Sequence, residues 1–425
     1  MRWLSSIRRS RCLPASAAIA AFIVIVMTWI TGIGSSVPAS AYEVWITDQS
    51  DTGKESGGYL YIYDGAKLAA DPATTKPTTT IDFSGDINTL CEEATKKPVR
   101  RPHMLFFTTD QAHVIVSFLS GHALVMDAGT KKPETCLNLG KNLHAAWPTP
   151  DQKMALAANM AGKKLIRIWT DYPGHKFGFD PDKDVLNLGA LDSGERPDNA
   201  PVCPVTDDSS TYGFVTLRGG GLFVVDVKST PMKIITMANN VDVHPAGCGG
   251  IQVGGTMYLN SGGGVPANPL AYDVYAIDMA ALPKSIGIKL VTSRDNQFAD
   301  SHGMAAVGRY LWSADRAGNN IEIIDTVSNL SVNGINLVGS ASDDPTPDLL
   351  AVAPDASYVF VGTRGPTPLS GNVKDVNNAK GSTPGVGVIK VTDGGKGGEL
   401  IGIARISNMK DGKEAADSHG IGVRK

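Results

Sequence analysis

Net charge is scarce in this 425-residue chain: 39 basic side chains stand against 42 acidic ones, and no basic tract stands out. A nucleic-acid partner is therefore not expected. Cysteine is almost as sparse, at five residues, and none lies in a CxxCH run. There is no glycine-rich phosphate loop, no calcium-binding loop and no Ser–His–Asp order, which argues against covalently attached haem and against nucleotide chemistry. Beyond residue 41 no apolar run is long enough to cross a bilayer. Long helical periodicity is nearly absent too. The chain has instead 47 glycines and many short β-rich runs, which point to an all-β solenoid, sandwich or propeller.

Residues 1–41 read as an export signal. Arg8, Arg9 and Arg11 precede an apolar stretch from Ala15 to Ile30, and Ala39 and Ala41 form a small-residue cleavage site. Cys12 precedes the apolar run and is not placed like a lipoprotein anchor. The alternative is an uncleaved membrane anchor, since the apolar stretch is long for a signal. Cleavage would leave residues 42–425 in the periplasm or outside the cell, with no membrane contact. An even set of cysteines then remains, namely Cys91, Cys136, Cys203 and Cys248, which suggests disulfides in an oxidising compartment. The related positions of Cys91 and Cys136, and of Cys203 and Cys248, favour pairing 91–136 and 203–248. The rival reading makes Cys203 or Cys248 a thiolate metal ligand.

Internal repetition decides among the β architectures. HAAWPTPDQKMALAANMAGKKLIRIW, from His144, reads as three strands separated by tight turns, and HMLFFTTDQAHVIVSFLSGHALVMD, from His103, repeats it. Asp110 and Asp151 fall at matching hairpin positions. Four further copies follow. The seventh is split: SHGIGVRK at the end supplies an opening strand, and VWITDQ with GYLYIYD near the start supplies its sequels. The expected fold is a single all-β seven-bladed propeller of four-stranded blades over residues 42–425, closed by pairing the C-terminal strand with the N-terminal strands. Closure leaves no open sheet edge. His144–Asn159 and Asp348–Gly362 resemble the repeats of YVTN-type seven-bladed propellers, a likeness that implies the fold and says little of function.

His103, His144, His302 and His419 each begin an opening strand, the last two within ADSHGM and ADSHGI. Opening strands line a propeller's axis, so these side chains are expected to converge on a metal that imidazole suits, copper or zinc, unless none is bound. Asp348 is added as a ligand on alignment, and His244 because it lies four residues before Cys248, which the alignment puts at the blade 5 position. Asp300 and Asp417 are either groups that orient the rings or turn residues. His113 and His175 fall in peripheral loops and are left out. The competing reading is an inherited histidine that caps the strand start. Asp48, Asn159, Arg218, Asn260, Asp315 and Arg364 end second strands and are expected to ring the same mouth, with His122 just beyond one of those turns. Of these, Arg218, Arg364, Asn159 and Asp315 are expected to bind substrate. The two arginines would favour a small anion, unless they serve in inter-blade ion pairs.

In architecture the chain is similar to histidine-lined copper propellers such as thiocyanate dehydrogenase and the propeller of nitrous oxide reductase. That resemblance implies an exported copper-dependent oxidoreductase served by an electron-transfer protein. The sequence departs from those families in lacking a cupredoxin domain and a histidine in blade 4. A zinc or copper carrier, a metal-free binding scaffold and a lactonase-like enzyme are the alternatives.

Overall fold

The computed structural model describes residues 41–51, 56–265, 268–294, 299–372 and 377–425. The expected leader, residues 1–41, lies outside them except for Ala41. Among the described residues no helix is long and apolar enough to cross a membrane.

Strands alternate their side chains between two faces, and in this chain both faces are apolar. In His113–Phe118, Val114 and Val116 pack toward Trp45 and Leu60, while Ile115 packs toward Ala155 and Ile166. Each sheet is thus buried on both sides, as a blade between two others must be. The inner-to-outer strands of blade 2 are Pro102–Phe107, His113–Phe118, His122–Asp127 and Lys132–Asn138. Blade 4 (Pro201–Thr206 to Lys233–Ala238), blade 5 (Gly250–Val253 to Ile288–Arg294), blade 6 (Ser301–Val307 to Leu330–Asn336) and blade 7 (Pro347–Val352 to Gly397–Arg405) follow the same antiparallel order. In blade 3 the outer edge is broken into Lys176–Gly178 and Val185–Asn187, both paired to Lys164–Asp171.

Blade 1 closes the ring as the sequence predicts. Its inner strand is Ser418–Arg424, which pairs with Glu43–Asp48, and this in turn pairs with Tyr59–Asp64. Thr79–Asp82 forms the outer edge. Trp45 of this blade is fully buried against blade 2, and Val44 and Ile46 pack against Phe360 and Val388 of blade 7.

Both expected disulfides are present, but they differ in setting. Cys91 lies on a helix, Asp86–Thr95, which the strand pattern did not anticipate, and it ties that helix to the outer strand of blade 2 through Cys136. Cys203 lies on the inner strand of blade 4, and Cys248 two residues before that of blade 5. Pairing excludes both from acting as thiolate ligands while the bridge is intact.

Candidate metal centre at the propeller axis

The strand register explains why the opening residues leave the sheet. In blade 2, Pro102 pairs with Phe118 but Leu105 pairs with Val116, so His103 and Met104 stand opposite Ser117 alone. The same two-against-one bulge holds His302 and Gly303 in blade 6, Asp348 and Leu349 in blade 7, and His419 and Gly420 in blade 1. Val202 and Cys203 bulge likewise in blade 4, and His144 is the extra residue in blade 3. A bulge re-aims side chains out of the pleat. Here it delivers one polar or sulfur group toward the axis in each of six blades, while in blade 5 Cys248 lies just before a regular inner strand.

Glycine after histidine lets the blades approach. A Cβ on Gly420 would lie 2.6 Å from the His103 carbonyl oxygen, and one on Gly303 would lie 2.3 Å from that of Asp348. Side chains of the second strands then hold the opening carbonyls of the next blade. Thr47 Oγ1 donates to His103 O at 3.0 Å, Ser117 Oγ donates to His144 O at 3.0 Å, and Asn260 Nδ2 donates to His302 O.

The result is an arc of imidazoles around one carboxylate. His103 stacks on His419 with ring centroids 3.8 Å apart, and meets His144 edge-on at 4.4 Å. His302 and His419 are 5.6 Å apart and flank Asp348. Asp348 Oδ1 contacts His302 Nδ1, and its Oδ2 lies 3.6 Å from His419 Nε2. His103, His302, His419 and Asp348 are all buried.

Hydrogen bonds fix which ring nitrogens carry lone pairs. Gln49 Nε2 donates to Asp417 Oδ2 at 2.9 Å, so Gln49 Oε1 is the acceptor that meets His103 Nδ1 at 2.9 Å. That bond places the proton on Nδ1 and leaves His103 Nε2 a buried lone pair with no hydrogen-bond partner. His419 Nδ1 donates to the His103 carbonyl at 3.2 Å, which turns its Nε2 lone pair toward Asp348. His302 Nδ1 and Asp348 Oδ1 also lack a hydrogen bond of proper geometry. Burial pushes His103, His302 and His419 below the usual histidine range, and pushes His144 down to about 3. Burial would raise Asp348, but its charged surroundings, with the Arg364 guanidinium on Oδ2, hold it well below the usual carboxylate range.

Two buried arginines frame the arc. Arg364 Nη1 reaches Asp348 Oδ2 at 2.5 Å, and its Nε donates to Asp417 Oδ1 at 2.7 Å. Arg316 Nε donates to Asp300 Oδ2 at 2.9 Å. Burial, aided by Asp315, pushes Asp300 up to about 7, and burial, aided by Asp417, pushes Asp48 up to about 6. Negative charge is in excess of its partners at this end of the channel.

Several other expected site residues lie elsewhere or are otherwise engaged. Arg218 is largely exposed and donates to Asp198, while Arg364 is fully buried between two carboxylates. Arg364 thus takes the inter-blade ion-pair alternative, through Asp417 beside blade 1, whereas Arg218 pairs with the chain leading into its own blade. Asn159 bonds Leu139 O and Gly162 N in its own turn, and Asp315 accepts from Arg294 and from Asp300 N. His244 bonds Asp273 at 2.8 Å and borders a separate surface pocket with Tyr275 and Met237. His122 opens the third strand of blade 2, between Ser120 and Thr95. Gln49 and Arg316 were missed. Each follows the last residue of a second strand, as Arg364 does; aligning on that position, not on the strand ends, would have found both.

A cavity of about 280 Å³ lies between the inner strands, lined by residues that follow the arc in sequence and by none of the arc residues themselves. Met104, Phe106, Trp147, Met304 and Leu349 line it, and so does Cys248.

No family model matches the chain, and no curated protein matches it. Solved propellers do. A protein described as a 6-phosphogluconolactonase from Bacteroides fragilis is 13% identical, with a TM-score of 0.54 over 90% of this chain and 98% of its own. Hydrazine synthase from Kuenenia stuttgartiensis is 15% identical, with a TM-score of 0.51 over 68% and 76%. The Cps50 (Swd1) β-propeller domain of Myceliophteria thermophila is 10% identical, with a TM-score of 0.52 over 72% and 88%. At these identities the likeness is one of fold.

Proposed function

We propose that the axis of this propeller holds a transition-metal ion on His302, His419 and Asp348, and that the protein is an exported, copper-dependent oxidoreductase. The carrying observation is that acceptors face acceptors. An ionised carboxylate oxygen, held on one side by Arg364, stands 3.6 Å from a buried imidazole lone pair on the other, a lone-pair contact that a bound cation would relieve. Metal–nitrogen and metal–oxygen bonds of about 2.0–2.2 Å put two ligands of one tetrahedral ion about 3.3–3.5 Å apart, close to that separation. Neutral imidazole suits copper and zinc, and the excess of buried carboxylates near the arc suits added positive charge.

Three protein ligands leave one position open, the pattern of a catalytic rather than a structural site. His103 Nε2 is a further unpartnered imidazole nitrogen in the arc, on the ring stacked against His419. Gln49 and Asp417 orient His103 in the way that outer partners orient ligating histidines. The adjoining apolar cavity supports a small-molecule substrate over a pure carrier role. With Arg218 and Arg364 both engaged, its lining favours a small molecule of low charge over the anion expected from sequence. When bound, copper would supply electron transfer, and an external electron-transfer protein would complete the cycle. Export is supported by the leader-like segment and the two disulfides.

The test is metal analysis of protein purified from a periplasmic or secreted fraction, then titration of chelated protein with copper and zinc. One tight site per chain is expected, lost in His302→Ala/His419→Ala and retained in His113→Ala. Binding no tighter in wild type than in the double variant overturns the reading.

A further inference from the structure

The ring of opening residues is completed by sulfur. Blades 6, 7, 1, 2 and 3 contribute His302, Asp348, His419, His103 and His144, and blades 4 and 5 contribute Cys203 and Cys248, joined to each other. This bridge lies next to an imidazole. His144 Nδ1 is 3.7 Å from Cys203 Sγ and 4.0 Å from Cys248 Sγ. It also borders the cavity between the inner strands, through Cys248. The other disulfide has neither property, since Cys91 packs in the core between blades 1 and 2 beside Phe83 and Val116.

Blades 4 and 5 already have other attachments near the bridge. Thr216 Oγ1 donates to Gly247 O at 2.5 Å, and Val205, Phe214, Met257 and Leu259 form a shared apolar core. A covalent staple at the axis therefore adds to an interface that is otherwise built.

We propose that His144, Cys203 and Cys248 form a second metal site, closed as the disulfide and opened by a dithiol reductant, that takes a soft ion such as zinc or cuprous copper. In the opening step the dithiol's two S–H groups become one disulfide, the Cys203–Cys248 bond breaks, and its two sulfurs take up the two protons. The dithiol is oxidised and the protein bridge reduced. A metal cation then displaces those protons to solvent and binds two thiolates.

The geometry suits this. With metal–sulfur bonds of about 2.3 Å and metal–nitrogen bonds of about 2.0 Å, sulfur and nitrogen ligands of one ion lie about 3.5–3.7 Å apart. The nitrogen is already near that distance from both sulfurs. Reduction has only to separate the sulfurs to about 3.8 Å, which side-chain rotation can supply with the Cα atoms held 4.9 Å apart. Thiolates with imidazole favour soft ions. The two sites share no ligand, so this one stands or falls independently of the histidine–aspartate centre.

Cobalt(II) is the probe, because thiolate ligation gives a charge-transfer absorption that imidazole and carboxylate do not. Full-length oxidised protein should show no such band with cobalt, whether or not the histidine–aspartate centre takes the ion. After anaerobic reduction and removal of the dithiol, the band should appear with one thiolate-bound cobalt per chain. It should vanish in Cys203→Ser/Cys248→Ser. In His144→Ala, cobalt binding should weaken by about tenfold or more, at least the loss seen when an outer partner of a ligand is removed. Zinc should protect Cys203 and Cys248 of reduced wild-type protein from alkylation, read peptide by peptide, and this arm holds whether or not the double variant folds. No band in reduced wild type, a band that survives in the double serine variant, protection absent at these two cysteines, or loss of native circular dichroism on reduction overturns the proposal.

Discussion

Buried, neutral imidazoles should make the metal-free protein sensitive to mild acid, and His103 isolates the effect. Burial, reinforced by His419 and His144, holds its ring well below the ordinary range of about 6.5. Between about pH 7 and about pH 5 the unfolded chain protonates this histidine and the folded chain does not. Because the unfolded state binds more protons, stability decreases as the pH is lowered. The contribution is intact above the unfolded value and is lost as pH drops through it toward the folded one. The linkage is worth about 2 kcal/mol for one such group over that interval. His302 and His419 act in the same direction, as do His144, pushed down to about 3, and His122, pushed down to about 4. Asp300, raised to about 7, and Asp48, raised to about 6, oppose them, since the fold takes those protons first; they return about 2 and about 1 kcal/mol. The clean measurement is a difference of differences. Urea unfolding with chelator present, at both pH values, is compared between wild type and His103→Asn, in which every other titrating group is shared. The variant should lose about 2 kcal/mol less on acidification. An identical loss would mean that the folded state protonates His103 readily, and the argument from burial would fail.

Gly420→Ala should cost about 1–3 kcal/mol, as overpacking does, and should weaken metal binding without touching a ligand, since its Cβ would press on the His103 carbonyl; denaturant unfolding and metal titration together check this. Deleting Ser418–Arg424 removes the inner strand of blade 1 and opens a sheet edge on Glu43–Asp48; concentration-dependent association on size exclusion is expected, and a monomer of wild-type stability would refute the clasp. Arg364→Met strands Asp348 and Asp417 without their guanidinium; a loss of about 3–5 kcal/mol, partly recovered by adding Asp417→Asn, is the expected result in denaturant unfolding.

The blade count, the split first blade and both cysteine pairings could be read without coordinates. Each rests on local information: period-two alternation within a strand, turn residues between strands, and a unit repeated often enough to be aligned. The same alignment picked out His103, His144, His302, His419 and Asp348 as occupants of one repeat position. It misjudged the second-strand ends because two neighbouring positions there point in different directions. Asn159 serves its own turn, whereas Arg364, one step past its strand, reaches across to blade 1 at Asp417. His244 failed for a related reason, because four residues of irregular chain before Cys248 carry it to Asp273 and away from the axis.

From sequence alone came the ring, its closure and the polar residues that open its inner strands, because strand alternation and repetition are properties of consecutive residues. The bulges that turn those residues inward, the glycines that let adjacent blades meet, and the hydrogen bonds that decide which imidazole nitrogen is free arose only in the folded ring. They depend on the backbone of a neighbouring blade, often dozens of residues away, and no local pattern encodes how closely two such backbones approach.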